Sequence, residues 1–148
     1  MNTDKRFAFQ CQGLPDDTFT VVSFSGVEEF SRPYEFVVTL ASRRDDLGLQ
    51  QVGQGLATFT MLRDKDDMPF HGVVVRFEQL KAVRSLCFYR AVLAPRLWAL
   101  SLNTHNRVFL DASAPEFLQE LLTQSQVLSS RDFDFRLSGN YPKREFVC

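Results

Sequence analysis

From Phe7 onward the chain repeatedly alternates apolar and polar positions with a period of two, the signature of half-buried strands. Phe7, Phe9 and Cys11 share one face against Ala8 and Gln10, and Thr20, Val22 and Phe24 oppose Phe19, Val21 and Ser23. Tyr34, Phe36, Val38 and Leu40 form an apolar face against Glu35, Val37, Thr39 and Ala41. Ala57, Phe59 and Met61 follow, then Val73, Val75 and Phe77, with Arg76 and Glu78 turned away. The run 84–94 is apolar on both faces, which predicts a central strand or one covered on both sides. Late in the chain Phe133, Phe135 and Leu137 alternate with Asp132, Asp134 and Arg136, predicting a further strand.

Turn chemistry separates these runs. Leu14-Pro15-Asp16-Asp17 links the first two, with proline pre-set for a turn and aspartate able to bond its own backbone. Residues 63–67 cap a hairpin between 56–62 and 70–80, and 46–51, closed by Gly53, reads as one helical turn. Ser113-Ala114-Pro115-Glu116 is a capping box that opens a helix over Ala114–Gln124. Phe117, Leu118, Leu121 and Leu122 give that helix one apolar stripe. The pattern predicts a mainly β protein: a small, closed or nearly closed barrel or strongly curved antiparallel sheet with one or two short helices. Phe36, Val38, Phe59, Val75, Phe117 and Leu121 are its expected core.

Composition narrows the function more than it defines it. With 148 residues, 45% of them hydrophobic and 24% charged, the chain is one ordinary globular domain able to bury its own core. Its 17 basic and 18 acidic residues leave a net charge of −1, so no general field favours nucleic acid or an acidic membrane. The balance is uneven: residues 1–74 hold 7 basic and 11 acidic groups, and residues 75–148 hold 10 and 7. No apolar run approaches the ~20 residues of a membrane-spanning helix, and Met1 to Phe7 lack the apolar core of a signal peptide. Cys11, Cys87 and Cys148 are odd in number and widely spaced, which argues against a disulfide framework and fits a reducing cytoplasm. Of the aromatic residues 15 are Phe, which favours buried core over polar stacking platforms.

Candidate chemistry is sparse. His71 and His105 have no histidine partner one helical turn away, and no Cys/His pair has zinc-ligand spacing. His71 shares a strand face with Val73, the place of a satisfied, partly buried histidine. Cys11 and Cys87 fall within strand runs and read as small core hydrophobes. The acidic stretch Asp64, Lys65, Asp66 and Asp67 fails as a calcium loop, since Met68 takes a ligand position and no glycine follows. Gly53-Gln54-Gly55 precedes a strand and reads as a turn, not a phosphate loop. Glu28 and Glu29 point apart as adjacent strand residues. The 13 arginines, against 4 lysines, are scattered, which suits protein contacts better than a nucleic-acid stripe. No catalytic residue, cofactor or metal is expected.

An ordered set of motifs then resembles a known family. The segment Phe24-Ser25-Gly26-Val27-Glu28-Glu29-Phe30-Ser31-Arg32-Pro33-Tyr34-Glu35-Phe36 resembles the opening signature of VgrG, the spike protein of type VI secretion (the Rhs element Vgr and phage late control D family). In register follow Gly53 with Ala57, then His71-Gly72-Val73-Val74, then the run from Tyr89-Arg90-Ala91 through Pro95 to Leu97-Trp98-Ala99-Leu100. Arg107-Val108-Phe109 and Tyr141-Pro142-Lys143-Arg144-Glu145-Phe146 complete the set. The resemblance implies a tail-hub or tube-like barrel, with residues 1–148 as the first barrel domain, ending before the second. It implies a structural role at the spike base, docked on the Hcp tube, in proteins that are trimers, assembled in the cytoplasm and secreted by the apparatus. This chain alone is then expected to be a monomer or weak oligomer, without nucleic-acid partner or membrane span. Loops at a barrel's end meet the next ring, which makes Ser31, Arg32 and Pro33, and Asp64, Lys65, Asp66 and Asp67, the candidate interface. A bland alternative holds for the first loop: Gly26 and Pro33 could serve only the geometry of a strand-to-strand connection. The competing functions are a contractile-phage tail hub, an enzyme using His71 or Cys87, and a lipocalin-type ligand barrel.

Overall fold

A computed structural model describes residues 6–53, 55–102, 104, 106–124, 128–129 and 131–147. The chain divides into two compact units, Met1–Pro95 and Arg96–Cys148.

The first unit is one antiparallel sheet of six strands: β1 (Phe7–Cys11), β2 (Thr20–Glu29), β3 (Arg32–Ser42), β4 (Leu56–Met61), β5 (Met68–Val83) and β6 (Leu86–Ala94), in the order β1-β4-β5-β6-β3-β2. A single helical turn, α1 (Leu49–Val52), follows β3; the Gln51 amide oxygen accepts from the Gly48 N–H at 2.9 Å, and the Gly53 N–H closes the turn on the Leu49 carbonyl at 2.7 Å. The sheet curls into a half-barrel. Its outermost strands β1 and β2 are not hydrogen-bonded to each other, so the barrel is not closed by backbone pairing. Aromatic packing joins them instead. Phe7 of β1 and Phe24 of β2 lie 4.9 Å apart between ring centroids, and both reach Phe59 of β4, at 6.1 and 4.8 Å.

Phe9, Phe36, Val38, Leu40, Phe59, Tyr89, Ala91 and Leu93 are buried in this core, as the alternation of β1, β3 and β4 requires. Tyr89 keeps its hydroxyl satisfied by donating to the Arg44 carbonyl at 2.8 Å. In β6, Ala91, Val92, Leu93 and Ala94 are all buried, the two-faced central strand expected from its composition. Two bulges overturn the expected alternation elsewhere. Between Val21 and Ser23 the register shifts, so Val21 and Phe24 both face the core while Val22 is exposed. Between Val74 and Arg76 it shifts again: Val74 is buried, Phe77 packs on the core, and Val75, an expected core residue, is only half-buried.

The second unit holds a 3-10 helix (Arg96–Leu102), the strands β7 (Phe109–Ala112) and β8 (Arg144–Val147), paired antiparallel, and α2 (Ala114–Gln124). Half of the expected capping box forms: Glu116 accepts from the Ser113 backbone N–H at 2.8 Å, while the Ser113 hydroxyl donates to the same carboxylate at 2.8 Å instead of accepting from the helix backbone. The apolar stripe of α2 does not become core. Phe117 is half-buried against Phe109 at 5.5 Å, and Leu118 and Leu121 are exposed. Two strands of four residues are too small a surface to cover an eleven-residue helix. No strand forms over 132–137. Asp132 accepts from the backbone N–H and hydroxyl of Ser129 at 2.7 Å, and Arg136 donates to Asp134 at 3.0 Å. Such local side-chain bonds favour turns over ladders.

Candidate docking end of the sheet

Strand register places the two candidate segments. Leu93 of β6 pairs with Phe36 of β3 and Ala94 pairs with Val73 of β5, so the starts of β3 and β5 flank the end of β6. The β2–β3 hairpin turns immediately before β3, and the β4–β5 hairpin immediately before β5. Both tips therefore sit at one end of the half-barrel. Ser31, Arg32, Pro33, Asp64, Lys65, Asp66 and Asp67 are all exposed there. Charge at this end is acidic: residues 28–35 carry three acidic groups against one basic, 63–67 three against two, and Arg6, whose carbonyl accepts from the Leu62 N–H, adds one basic, a net of −2. The opposite end, with Asp16, Asp17, Arg43, Arg44, Asp45, Asp46, Lys81 and Arg84, balances four against four.

The hairpins are held as one platform. β6 stops at Ala94 while β3 and β5 run on beyond it, leaving β5 without a ladder partner on that side. Tyr34 spans the gap: its hydroxyl donates to the His71 carbonyl, and its ring meets Phe70 at 5.9 Å. Phe36 packs on the same Phe70 ring at 4.5 Å. Burial, and then the charge of Glu28, raise the Tyr34 phenol above its ordinary value, so it remains a donor at neutral pH. The tips have their own local bonds. The Arg63 N–H donates to Asp67 at 3.1 Å, and Arg32 lies 3.8 Å from Glu29 in an exposed pair of little energetic weight.

Gly26 and Pro33 lie inside strands, not at the ends of a loop; the connection is only Phe30 and Ser31. Gly26 faces Phe36 across the ladder, and a Cβ there would come within 2.2 Å of the Phe36 ring. The glycine is needed for close approach. Pro33 precedes the point at which β3 gains β6 as its second partner, where a missing N–H is tolerated. Ser31 takes the left-handed conformation, φ 61°. Phe30, the first residue of the turn, is fully exposed at 103%, beside the interface residues expected from the sequence. Its signal in the sequence was an aromatic side chain set between Glu29 and Ser31 with no strand face to bury it.

The residues considered for chemistry are dispersed. His71 is exposed, not partly buried, and its Nδ1 lies 3.0 Å from the Thr58 hydroxyl opposite it in the ladder. Cys11 and Cys87 are buried core residues, and burial pushes the Cys11 thiol up to about 12, far from a nucleophilic thiolate. Among the described residues no three His, Cys, Asp or Glu side chains gather as metal ligands. A depression of about 600 Å³ at the opposite end contains Thr18, Ser42 and Arg44, but each is engaged locally. Thr18 donates to the Pro15 carbonyl at 2.6 Å, Ser42 accepts from the Arg44 N–H at 3.2 Å, and Arg44 forks onto Asp46 at 2.9 and 2.6 Å. His105, Cys148 and Gln54 lie outside the described residues. No helix of the described residues is long and apolar enough to cross a membrane.

Residues 27–148 match the family model of the phage tail baseplate hub (GPD). The chain is 31% identical over 140 residues to the type VI secretion system spike protein VgrG4b of Pseudomonas aeruginosa, covering 95% of this chain and 17% of that protein. It is 30% identical over 150 residues to the actin cross-linking toxin VgrG1 of Vibrio cholerae, covering 95% of this chain and 13% of the toxin. The chain thus spans less than a fifth of the length of these relatives. Its fold matches that of the E. coli c3393 protein, a type VI secretion component described as structurally similar to the T4 phage tail proteins gp27 and gp5. The TM-score is 0.83 at 23% identity, over 94% of this chain and 38% of that one. The curled six-stranded sheet, the ordered motifs and the matched family together place this chain in the phage tail baseplate hub family, as a hub-like domain of the VgrG spike proteins.

Proposed function

We propose that this domain forms part of the base of a type VI secretion spike and docks end-on against the Hcp tube through the end carrying the β2–β3 and β4–β5 hairpins. The observation that carries this reading is the platform itself: two exposed hairpin tips at one end of one sheet, tied by Tyr34, Phe36 and Phe70. End-on docking needs a rigid surface presented along the axis of the assembly, and no catalytic group. The half-barrel has its own core, so it can sit beside like units in a ring; in a trimer with two such barrels per chain, six similar units would face a six-fold tube. Within that assembly the protein is built in the cytoplasm and leaves with the spike. The cross-linking activity in the name of the Vibrio relative does not transfer, because this chain spans only 13% of it.

A contractile-phage tail hub is the second reading, favoured by the family description itself. Its partner would be a phage tail-tube ring with the same end engaged. The test is sedimentation of the purified chain with hexameric Hcp, and separately with a phage tail-tube protein. Binding to Hcp is expected to be weak, since six simultaneous contacts are reduced to one and avidity is lost. Co-sedimentation with the phage ring alone would shift the assignment to the phage hub. By light scattering the chain is expected to be a monomer or weak oligomer at micromolar concentration, because stable interfaces bury about 1,200–2,000 Å². A concentration-independent trimer, near three times 17.0 kDa, would move the trimer interface onto this domain.

A further inference from the structure

The turn that presents Phe30 breaks a local rule at Ser31. Two-residue hairpin turns favour glycine, asparagine and aspartate, whose backbones accept the required conformations. Here only the second position takes a left-handed φ, 61°, and a serine fills it; Phe30, at the first position, has no positive φ and is presented without backbone strain of its own. The ring is fully exposed and contributes nothing to the core formed by Phe7, Phe24, Phe36 and Phe59. Isolated exposed apolar residues are common on proteins. A large aromatic at a turn tip, held out by a strained neighbour, is not what folding alone selects, and departures of this kind concentrate at functional sites. The surroundings are also specific. Val27 is exposed on the same hairpin, and Glu28, Glu29 and Glu35 lie close in sequence to the tip, with Asp64, Asp66 and Asp67 on the second hairpin at the same end.

We infer that Phe30 is the apolar anchor of the docking end and that it enters a hydrophobic socket rimmed by arginine or lysine on the partner ring. The partner's chemistry follows from complementarity: an aromatic ring set in a field of net −2 selects an apolar cup with a basic edge. A depression of about 290 Å³ beside the tip is lined by the apolar Val27, Pro33 and Val37 and by Glu29, Glu35 and Arg32, two acidic groups against one basic. The inference rests on the docking role proposed above and names the residue and partner surface through which it works.

The experiment compares the unmodified chain with Phe30→Ser and Phe30→Leu for binding to purified hexameric Hcp immobilised on a sensor surface. Phe30→Ser is expected to weaken binding about 30-fold or abolish it, the behaviour of an anchor residue, while Phe30→Leu stays within about 3-fold. The thermal midpoint of Phe30→Ser should match that of the unmodified chain, since the ring supports no core contact; this separates lost docking from lost folding. Photo-cross-linking from Phe30→p-benzoylphenylalanine should land on an apolar Hcp residue with a basic side chain within about 10 Å, one Debye length at moderate salt. If the unmodified chain binds and Phe30→Ser binds equally well, or the cross-link falls on an acidic or wholly polar surface, the anchor is refuted while the docking role stands. If the unmodified chain does not bind Hcp, both fail together.

Discussion

The two units of the chain spend their apolar residues differently. In the first, Phe9, Phe59, Val38, Leu40 and Tyr89 are almost completely buried, and rings from four strands meet around Phe59. In the second, α2 has no buried residue, and Leu110 and Phe146, directly opposite each other in the β7–β8 ladder, are both exposed. Both segments have strong local signals. At the start of α2, Glu116 accepts from both the backbone N–H and the hydroxyl of Ser113. The difference is in what the signals have to pack against: six strands curl far enough to enclose their own aromatic residues, and two strands do not. Local propensity made the second unit's helix, but only the first unit has the packing that sets global stability.

The contrast predicts a graded series of effects. Phe59→Ala should destabilise the first unit by about 3–5 kcal/mol in urea unfolding, as for any large aromatic removed from a close-packed core. Gly72→Ala should cost about as much as overpacking does, roughly 1–3 kcal/mol or more, because its Cβ would meet the Ala94 carbonyl oxygen at 2.2 Å and backbone cannot step aside. Tyr34→Phe removes the donor that satisfies the His71 carbonyl and should cost about 1 kcal/mol, with faster amide exchange at the start of β5. Ser113→Ala removes the hydroxyl that donates to Glu116 and should loosen α2 by about 1 kcal/mol, read from exchange of its first-turn amides and leaving the first unit's unfolding midpoint unchanged. Leu121→Ala should fall below about 0.5 kcal/mol, since the side chain is exposed on a helix where alanine is well tolerated. A loss of several kcal/mol there would mean that the stripe is covered in solution, and the contrast between the units would collapse.

The smallest effect is one of pH. The Glu116 carboxyl is held below its ordinary value by the Ser113 backbone N–H, then the Ser113 hydroxyl, with Lys143 contributing further. A depressed folded-state value means that this contribution is fully present above the unfolded value and is lost as pH falls through the folded one. Helix content of α2 should therefore decline only below about pH 4.3, and Glu116→Gln should remove that acid step.

How much of this was legible in the sequence depends on whether a feature was local. The faces of β1, β3 and β4, the hairpin before Met68 and the capped helix follow from side-chain period and turn chemistry, and the structure contains them. Val22 and Val75 were misplaced because one extra residue in a bulge exchanges the faces of everything after it, and no composition signal marks the shift. The run 132–137 has strand alternation but no ladder partner among the described residues, and Asp132 and Asp134 spend their oxygens on nearby donors. The docking end was half legible. Ser31–Pro33 and residues 64–67 were both named as loops at a barrel's end, but that they share one end follows only from β3 and β5 both pairing antiparallel with β6, a fact of topology. Phe30 carries no period-two signal of its own, and its exposure follows only from the turn's falling at Phe30 and Ser31.

The central claim, that one end of the half-barrel faces the tube, is tested most directly by hydrogen–deuterium exchange of the chain with and without hexameric Hcp. The account predicts new protection at residues 28–35 and 62–69, both hairpin tips together. Protection confined to 14–19, 43–47 and 80–86, at the opposite end, would contradict it.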